Sequence, residues 1–458
     1  MRWSTLIFAI SVDQRRLAFP RAVVGAVIAI GLASALWVGT TVESAEEAAP
    51  VSKGGFRGVF FNPNITHAGM AGYPWPVFDP YGPRYRNQIR AALQELAREA
   101  NLNFIDVFIP IPFTLSHPGQ APRPGQPIAE WANLRYLDNL ALFLSDCHDA
   151  GISVEFDLAD NRWIPYSVDS RHHIGRPGGA SWPVADDAPW ESSATWHAEI
   201  VRYVESRARH PENIAMWGMA GNYQWGAAEP CLWDCPHHPA IRANTEKFVK
   251  QVWPAFRSAG KRPKAAPILL PVFSNDPAWM AKAPDQRLSG FRNLKKWIVD
   301  DLSLPPDYWP MTTYPFCDPA PDGVYYLRRI VEILGKENAS RVISTDFKGP
   351  GHDQELKESV ISAAGHSGRE MLMWHFQKCA QYRFAGWWIW SYQDQAAVNQ
   401  RTGIRDFAGR WKPDLLEVIQ HHGGEPQPAG RPGRGGGRDA HRVGPLPLGP
   451  PGRSGCLR

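Results

Sequence analysis

Residues 384–394 read FAGWWIWSYQD and are the most informative stretch of this 458-residue chain. A β-strand alternates its side chains between two faces, so Trp388, Trp390 and Tyr392 are predicted to share one face, and Trp387 and Ile389 the other. A run this apolar is typical of a parallel strand that helices cover on both sides. Indole rings at the end of such a strand suit the apolar face of a sugar ring, and the polar ending predicts a strand that opens into a site. Plain core packing is the alternative for Trp388.

Strand-like and helix-like runs alternate between residues 55 and 422. The strand-like runs are 55–62, 103–110, 152–158, 214–220, 267–273, 309–314, 341–347 and 385–392. The helix-like runs are 84–99, 134–150, 196–208, 241–256, 294–302, 325–334, 370–381 and 413–420. Eight such units predict a single-domain α/β fold, the (β/α)8 TIM barrel, with a doubly wound open sheet as the alternative. In a barrel the active site lies at the C-terminal ends of the strands.

The two ends of the chain differ in composition from the middle. Residues 1–50 place Arg15, Arg16 and Arg21 before an apolar run at 22–39, which predicts a signal peptide followed by a linker. An uncleaved membrane anchor through 22–39 is the alternative, and either reading puts the protein in the periplasm or outside the cell. Residues 51–422 hold the barrel. Residues 423–458 are rich in Gly, Pro and Arg, which predicts a disordered tail.

Composition argues against several classes of partner. The net charge is only +4 and the basic residues are scattered along the middle of the chain, so we expect no nucleic acid partner. Successive strand ends carry no clustered histidines, so we expect no metal and no cofactor. Cys231 and Cys235 could form a disulfide in a Pro- and Trp-rich loop, with a metal pair as the alternative. Cys147, Cys317 and Cys379 are predicted to be buried thiols.

Five short segments resemble a known family when they are taken together. They are RGV at 57–59, HPENIAMW at 210–217, TTY at 312–314, STDF at 344–347 and GWWIW at 386–390. In order and spacing the chain resembles glycoside hydrolases of clan A, the superfamily of the family 5 cellulases and mannanases, over about residues 55–422. The resemblance implies a TIM barrel that acts on an oligo- or polysaccharide.

The chain departs from that family at its catalytic positions. Clan A enzymes carry a general acid/base Glu at the end of strand four, and this position falls on Asn222 or, with a one-residue shift, on Tyr223. The nucleophilic Glu of strand seven is matched by Asp346, and the strand-six Tyr is retained as Tyr314. Because Asp reaches about one C–C bond less far than Glu, Asp346 would suit a general base that activates water at the wider spacing of inverting enzymes.

The remaining candidates complete the predicted site. The acid could be Glu229, in the loop after strand four, or Glu155, Asp157 or Asp160 of strand three. We expect one of Glu155 and Asp157 to face the surrounding helices. Substrate contacts are predicted for Asn62, Asp157, Trp217, Asn222, Tyr223, Tyr314, Trp388 and Trp390.

Two main functions follow from these residues. The first is hydrolysis of O-glycosidic bonds with a non-standard carboxylate set, with Asp346 and Glu229 as the catalytic pair. The alternative is a catalytically inactive, carbohydrate-binding TIM barrel in extracellular polysaccharide handling. Another barrel enzyme, such as a lyase or a metal-dependent hydrolase, is a third reading. All of them require residues 222, 314, 346 and 390 to converge at the mouth of one barrel.

Overall fold

A computed structural model describes twelve segments of the chain. They are residues 55–63, 81–109, 111–117, 122–158, 173–175, 181–183, 190–219, 238–267, 288–312, 325–348, 368–394 and 403–422. The chain divides into two compact units, Met1–Glu47 and Ala48–Arg458, and every described residue belongs to the second. The predicted signal or anchor, the tail and the pair Cys231 and Cys235 lie outside the described residues. Within the described segments no helix is long and apolar enough to cross a membrane.

Eight parallel strands of the described residues form one sheet. They are β1 (Phe56–Phe60), β2 (Phe104–Ile109), β3 (Ser153–Leu158), β4 (Ile214–Gly218), β5 (Lys264–Ala265), β6 (Trp309–Thr312), β7 (Val342–Lys348) and β8 (Gly386–Trp390). Their order is β5-β4-β3-β2-β1-β8-β7-β6. The two edge strands meet at a parallel bridge between Ala265 and Tyr308, where the Ala266 N–H donates to the Tyr308 carbonyl at 3.0 Å. The sheet therefore closes, which confirms the predicted (β/α)8 barrel.

A helix follows each strand. The helices are α1 (Pro83–Glu99), α2 (Leu134–Ala150), α3 (Trp190–Arg207), α4 (His238–Arg257), α5 (Ser289–Lys295), α6 (Tyr325–Leu334), α7 (Gly368–Tyr382) and α8 (Pro413–His422). A π-helical stretch, Lys296–Asp301, extends α5. Shorter elements are the helix Ile111–Thr114, the 3-10 turns Ile128–Glu130, Pro211–Asn213 and Lys336–Arg341, and an antiparallel hairpin of His173–Gly175 with Ser181–Pro183.

Helix α2 shows how the sequence sets these bounds. The Asn133 side chain accepts a hydrogen bond from the Tyr136 backbone N–H at 3.2 Å, which caps the first turn. Gly151 adopts a left-handed φ of 72° and its N–H returns to the Cys147 carbonyl, which ends the helix. Cys147 itself is a buried, free thiol, as predicted.

The fifth strand begins before the range that the sequence predicted. The predicted range was 267–273, whereas β5 pairs at Lys264 and Ala265, and residues 268–287 lie outside the described segments. The strand begins with the charged residue Lys264, so a search for apolar residues does not recognise its start. Lys264 is nevertheless buried, and this burial lowers its pKa to about 8.

The two faces of β8 separate the barrel interior from the helix layer. Trp387 stacks on Phe376 of α7 at 4.1 Å, so it points outward. Trp390 stacks on Phe60 of β1 at 4.1 Å and lies 6.1 Å from Phe108 of β2, inside the ring. The predicted alternation from Gly386 to Trp390 is therefore confirmed.

Candidate active site at the carboxyl end of the barrel

Trp388 and Trp390 of β8 pack inside the barrel. Trp388 is fully buried. Trp390, the next inward residue toward the C-terminal end of the strand, is 9% exposed. Trp390 stacks on one side of Phe60, whose ring centroid lies 4.8 Å from that of Phe108. Of the two β8 indoles predicted to contact substrate, Trp390 is therefore the one nearer the surface, and Trp388 belongs to the layer beneath it.

Tyr392 does not continue the inward face of β8, in contrast to the prediction. Its ring lies 5.7 Å from Phe61, and its hydroxyl donates to the carboxylate of Glu95 on α1 at 3.2 Å. Arg405 covers the same ring at 5.4 Å and pairs with Glu95. The peptide bond between Trp390 and Ser391 is cis. Tyr392 thus joins the helix layer and fastens the end of β8 to α1.

Glu155 and Asp157 both face the barrel interior. Phe156 lies between them in β3, and its ring packs 6.4 Å from Phe143 of α2 and 5.2 Å from Trp217, on the outer side. Since alternate residues of a strand share a face, the residues on either side of Phe156 point inward. The expectation that one of the two carboxylates faces the helices was wrong, because positions two apart cannot lie on opposite faces.

The Asp157 side chain occupies the space beside Gly218 of β4, which has no side chain of its own. Its register partner on β4 is Gly218. An added Cβ at Gly218 would lie 2.7 Å from Asp157 Oδ1, so the carboxylate leans over this glycine. Asp157 is fully buried and is the last inward position of β3, next to Phe108 in the register. Strand three thereby places a carboxylate over the end of strand four.

Glu155 lies one inward position deeper. It is fully buried, and among the described residues no donor makes a hydrogen bond with either of its carboxyl oxygens. Burial raises the pKa of Glu155 to about 8, and the nearby Trp388 indole offsets part of that rise. At neutral pH the side chain is therefore mainly a neutral carboxylic acid. Asp106, also buried and inward, is its register neighbour on β2.

The side-chain amide of Asn62 forms hydrogen bonds with the backbone that follows β8. Its Nδ2 donates to the Gln393 carbonyl at 2.9 Å, and its Oδ1 accepts from the Gln393 N–H at 3.0 Å. This pair of bonds joins the end of β1 to the end of β8. We therefore assign Asn62 to positioning the rim, which corrects the predicted direct contact with substrate.

Trp217 lies on the outer face of β4, which corrects the predicted substrate contact. Its indole N–H donates to Glu205 Oε1 of α3 at 3.0 Å. The same carboxylate accepts from the backbone N–H groups of Lys261 at 2.6 Å and Arg262 at 3.2 Å. Trp217 is a core residue that joins β4 to α3, and a strand that is apolar on both faces hid this from the sequence.

His197 supports the carboxyl end of β4 from behind. Its two ring nitrogens lie 2.7 Å from the Ser193 carbonyl and 2.8 Å from the Met219 carbonyl. Burial lowers the pKa of His197 to about 4, so the ring is neutral at pH 7 and donates to one of the two carbonyls at a time. Helix α3 thus fixes the residue that leads into 220–224.

Of the other predicted site residues, only one belongs to the described segments. Asn222, Tyr223, Glu229 and Tyr314 lie outside the described residues. Asp346 belongs to β7, where the pairing with β8 is irregular between Trp387 and Ile389. Of the four positions expected to converge, 346 and 390 lie on neighbouring strands of the ring.

Comparison with known proteins identifies the fold. No protein-family profile and no curated protein sequence matches the chain. Solved structures do. A GH5_18 protein from Streptomyces cattleya in complex with GlcNAc has a TM-score of 0.55 at 13% identity, covering 83% of this chain and 82% of that one. The β-glycosidase of the hyperthermophile Thermosphaera aggregans has a TM-score of 0.53 at 13% identity, covering 82% and 98%.

A third structure resembles the chain over a smaller part of its own length. Exo-β-1,4-mannosidase Op5Man5 from Opitutaceae bacterium strain TAV5 has a TM-score of 0.52 at 16% identity. The match covers 80% of this chain but 58% of the mannosidase, less than two thirds of it. The barrel thus has the fold of family 5 and related glycoside hydrolases, as the sequence resemblance implied. At these identities the likeness concerns the fold.

Proposed function

We propose that this chain is an exported glycoside hydrolase that cleaves O-glycosidic bonds of an oligo- or polysaccharide. In this proposal Asp157 is the general acid and Asp346 is the general base that activates water. Asp157 takes the role that was predicted for Glu229. Trp390 contributes an apolar surface for a sugar ring, and Asn222, Tyr223 and Tyr314 bind hydroxyl groups.

One observation carries the proposal. The carboxylate of Asp157 lies over Gly218, beside the end of β4, where the sequence offers Asn222 or Tyr223 in place of a catalytic Glu. A general acid needs a carboxyl group that can be protonated near the leaving oxygen. Asp157, at the last inward position of β3, meets that requirement. Gly218 is what makes the room, because any side chain there would collide with the carboxylate.

The order of the strands favours inversion of the anomeric centre. In the closed ring β3 and β7 are four strands apart in either direction, so they lie on opposite sides. A pair on strands four and seven would be three strands apart. Carboxyl groups about 5–5.5 Å apart give retention, whereas a gap of about 6.5–9.5 Å leaves room for the attacking water. Both the wider strand spacing and the shorter Asp at 346 favour the second geometry.

The solved structures with this fold support the choice of substrate class. Their names describe an exo-β-1,4-mannosidase, a β-glycosidase and a GH5_18 protein bound to GlcNAc. We therefore propose a β-linked oligosaccharide as the substrate. Export through residues 1–50 rests on the sequence of that segment.

The test is product release from a panel of β-linked manno-, gluco- and N-acetylglucosamine oligosaccharides. The parent chain is compared with Asp157→Asn and Asp346→Asn, and with Asp300→Asn as a control at an exposed carboxylate of the π-helical stretch. We expect the first two variants to lose about 10²–10⁴-fold in kcat/KM and the control to match the parent. Proton NMR during the first turnovers should show the anomer of inverted configuration.

Two outcomes would contradict the proposal. If the parent binds an oligosaccharide and releases no product, the carbohydrate-binding barrel is the correct reading. If Asp157→Asn keeps full activity, the acid is another residue and the role given to Asp157 is wrong.

A further inference from the structure

A cluster of two histidines and a glutamate lies at the opposite end of the barrel from the proposed site. His148 is in the last turn of α2, and His210 and Glu212 belong to the connection between α3 and β4. The two imidazole rings stack with their centroids 3.7 Å apart and their planes within 6°. One ligand atom from each of the three side chains lies within 4.8 Å of those from the other two.

The neighbouring Asn213 sets the tautomer of His148. Its Nδ2 donates to the Ile152 carbonyl at 2.8 Å, which leaves the amide oxygen facing His148 Nδ1 at 3.2 Å. An amide oxygen can only accept, so Nδ1 carries the proton of the neutral ring. The Nε2 atom of His148 therefore keeps its lone pair.

Glu212 orients the second ring. Its Oε1 lies 3.0 Å from His210 Nδ1. The His210 ring and the Glu212 carboxylate therefore lie side by side, and each offers one ligand atom to an ion.

We propose that His148, His210 and Glu212 bind a divalent late transition metal ion, with Zn²⁺ as the preferred species. Two imidazoles and one carboxylate are a complete protein ligand set for zinc, with water in the fourth position. Bonds of about 2.0–2.1 Å place tetrahedral ligand atoms roughly 3.3 Å apart, closer than the separations of up to 4.8 Å in the cluster. Because imidazole lone pairs lie in the ring plane, one of the two stacked rings also has to turn before both can bind the same ion. His148 and Glu212 are exposed, which lets the ion enter from solvent and lets the His148 ring turn.

The position of the site determines what the metal would do. It joins the C-terminal turn of α2 to the segment that precedes β4, at the N-terminal end of the barrel strands. That end serves stability in TIM barrels, while chemistry takes place at the other end. The ion is therefore a cross-link between two helix–strand units and takes no part in the proposed hydrolysis.

The experiment uses the full chain, treated with a chelator and then titrated with ZnCl₂ by calorimetry. The parent is compared with His148→Gln, His210→Gln and Glu212→Gln, and with His421→Gln as a control at an exposed histidine of α8. We expect one equivalent of Zn²⁺ to bind the parent and the control, and each cluster variant to bind it at least tenfold more weakly. A metal that binds only the folded state should also raise the Tm of the parent by several degrees.

A spectroscopic measurement identifies the ligands directly. Cu²⁺ prefers the same nitrogen donors, so the parent with one equivalent of Cu²⁺ should show hyperfine coupling to two imidazole nitrogens in electron paramagnetic resonance. His148→Gln and His210→Gln should each show one. The proposal fails if the parent binds none of these ions at micromolar concentration. It also fails if binding is unchanged in both histidine variants, because the ion then occupies another site.

Discussion

Two buried carboxylates in this barrel have opposite surroundings. Asp146 of α2, in the helix layer, accepts hydrogen bonds from Tyr81 Oη at 2.9 Å and from Arg86 Nη2 at 2.7 Å. Glu155, inside the barrel, is equally buried and receives no hydrogen bond from the described residues. Burial raises the pKa of Glu155 to about 8.

The difference in hydrogen bonding separates a carboxylate that stabilises the fold, Asp146, from one that does not, Glu155. A buried charge stabilises a fold only when donors compensate its desolvation, as they do at Asp146. Glu155 carries its carboxyl group into the interior of the barrel, beneath the mouth, without such donors among the described residues. Such a cost to stability is characteristic of sites that bind or react.

Replacing Asp146 should have the largest effect on stability. In Asp146→Ala the buried Tyr81 hydroxyl and the Arg86 guanidinium lose their shared partner, so the free energy of unfolding should fall by about 3–5 kcal/mol. Urea denaturation measures this directly. Glu417→Ala on α8 is the control, because Glu417 pairs with Arg369 at the surface and should contribute less than about 1 kcal/mol. Equal losses in the two variants would contradict the comparison.

Replacing Glu155 should have the opposite sign and should depend on pH. The folded state holds a proton on Glu155 up to about pH 8, whereas the unfolded chain releases it near the ordinary glutamate pKa of 4.5. Glu155 therefore costs stability progressively as the pH rises from about 4.5 to about 8. Glu155→Gln should match the parent at pH 4.5 and exceed it at pH 8.5 by on the order of 2–4 kcal/mol.

The control for Glu155→Gln is Glu205→Gln. Glu205 accepts three hydrogen bonds, from Trp217 and two backbone N–H groups, so its replacement should destabilise the protein at both pH values. If Glu155→Gln shows no pH-dependent gain over the parent, the carboxyl group of Glu155 ionises normally and the comparison is wrong.

Replacing Gly218 should lower activity without removing any proposed catalytic group. The added methyl group of Gly218→Ala would lie 2.7 Å from Asp157 Oδ1 and displace this carboxylate. We expect kcat/KM to fall about 10–100-fold, in line with the sensitivity of catalysis to small misplacements. The double variant Gly218→Ala/Asp157→Ala should recover stability that Gly218→Ala loses. Unchanged activity in Gly218→Ala would separate Asp157 from the chemistry.

Replacing Asn62 should have the smallest effect. Asn62→Ala removes two hydrogen bonds to the Gln393 backbone, which should cost about 1–3 kcal/mol of stability. Because this side chain positions the rim of the barrel, KM should rise more than kcat falls. Steady-state kinetics on the hydrolysed oligosaccharide measures both. A loss in kcat alone, as large as that of Asp157→Asn, would assign Asn62 a direct catalytic role.

The fold could be predicted from the sequence because each strand and helix has a local pattern. The range predicted for α6, 325–334, and that for α2, 134–150, agree with the structure residue for residue. The start of strand β5 could not be placed, since Lys264 is a charged residue whose backbone partners, Trp217 and Tyr308, are distant in the sequence. The partners of Asp146 are 60 or more residues away, and no local signal announces them.

The site was predicted less completely, for reasons that differ between residues. The spacing of Glu155 and Asp157 already implies a shared face, so strand geometry alone would have corrected that expectation. Trp217 could not be oriented, because β4 is apolar on both faces. The role of Gly218 could not be predicted, because its contact with the Asp157 carboxylate depends on the register of β3 and β4.

The most direct test of the central claim varies the leaving group. A general acid is needed to expel a sugar alcohol but not to expel dinitrophenolate. Asp157→Ala should therefore lose about 10²–10⁴-fold in kcat/KM on an oligosaccharide, and about tenfold or less on the matching dinitrophenyl glycoside. Equal losses on both substrates, or no loss on the oligosaccharide, would contradict the assignment of Asp157 as the acid.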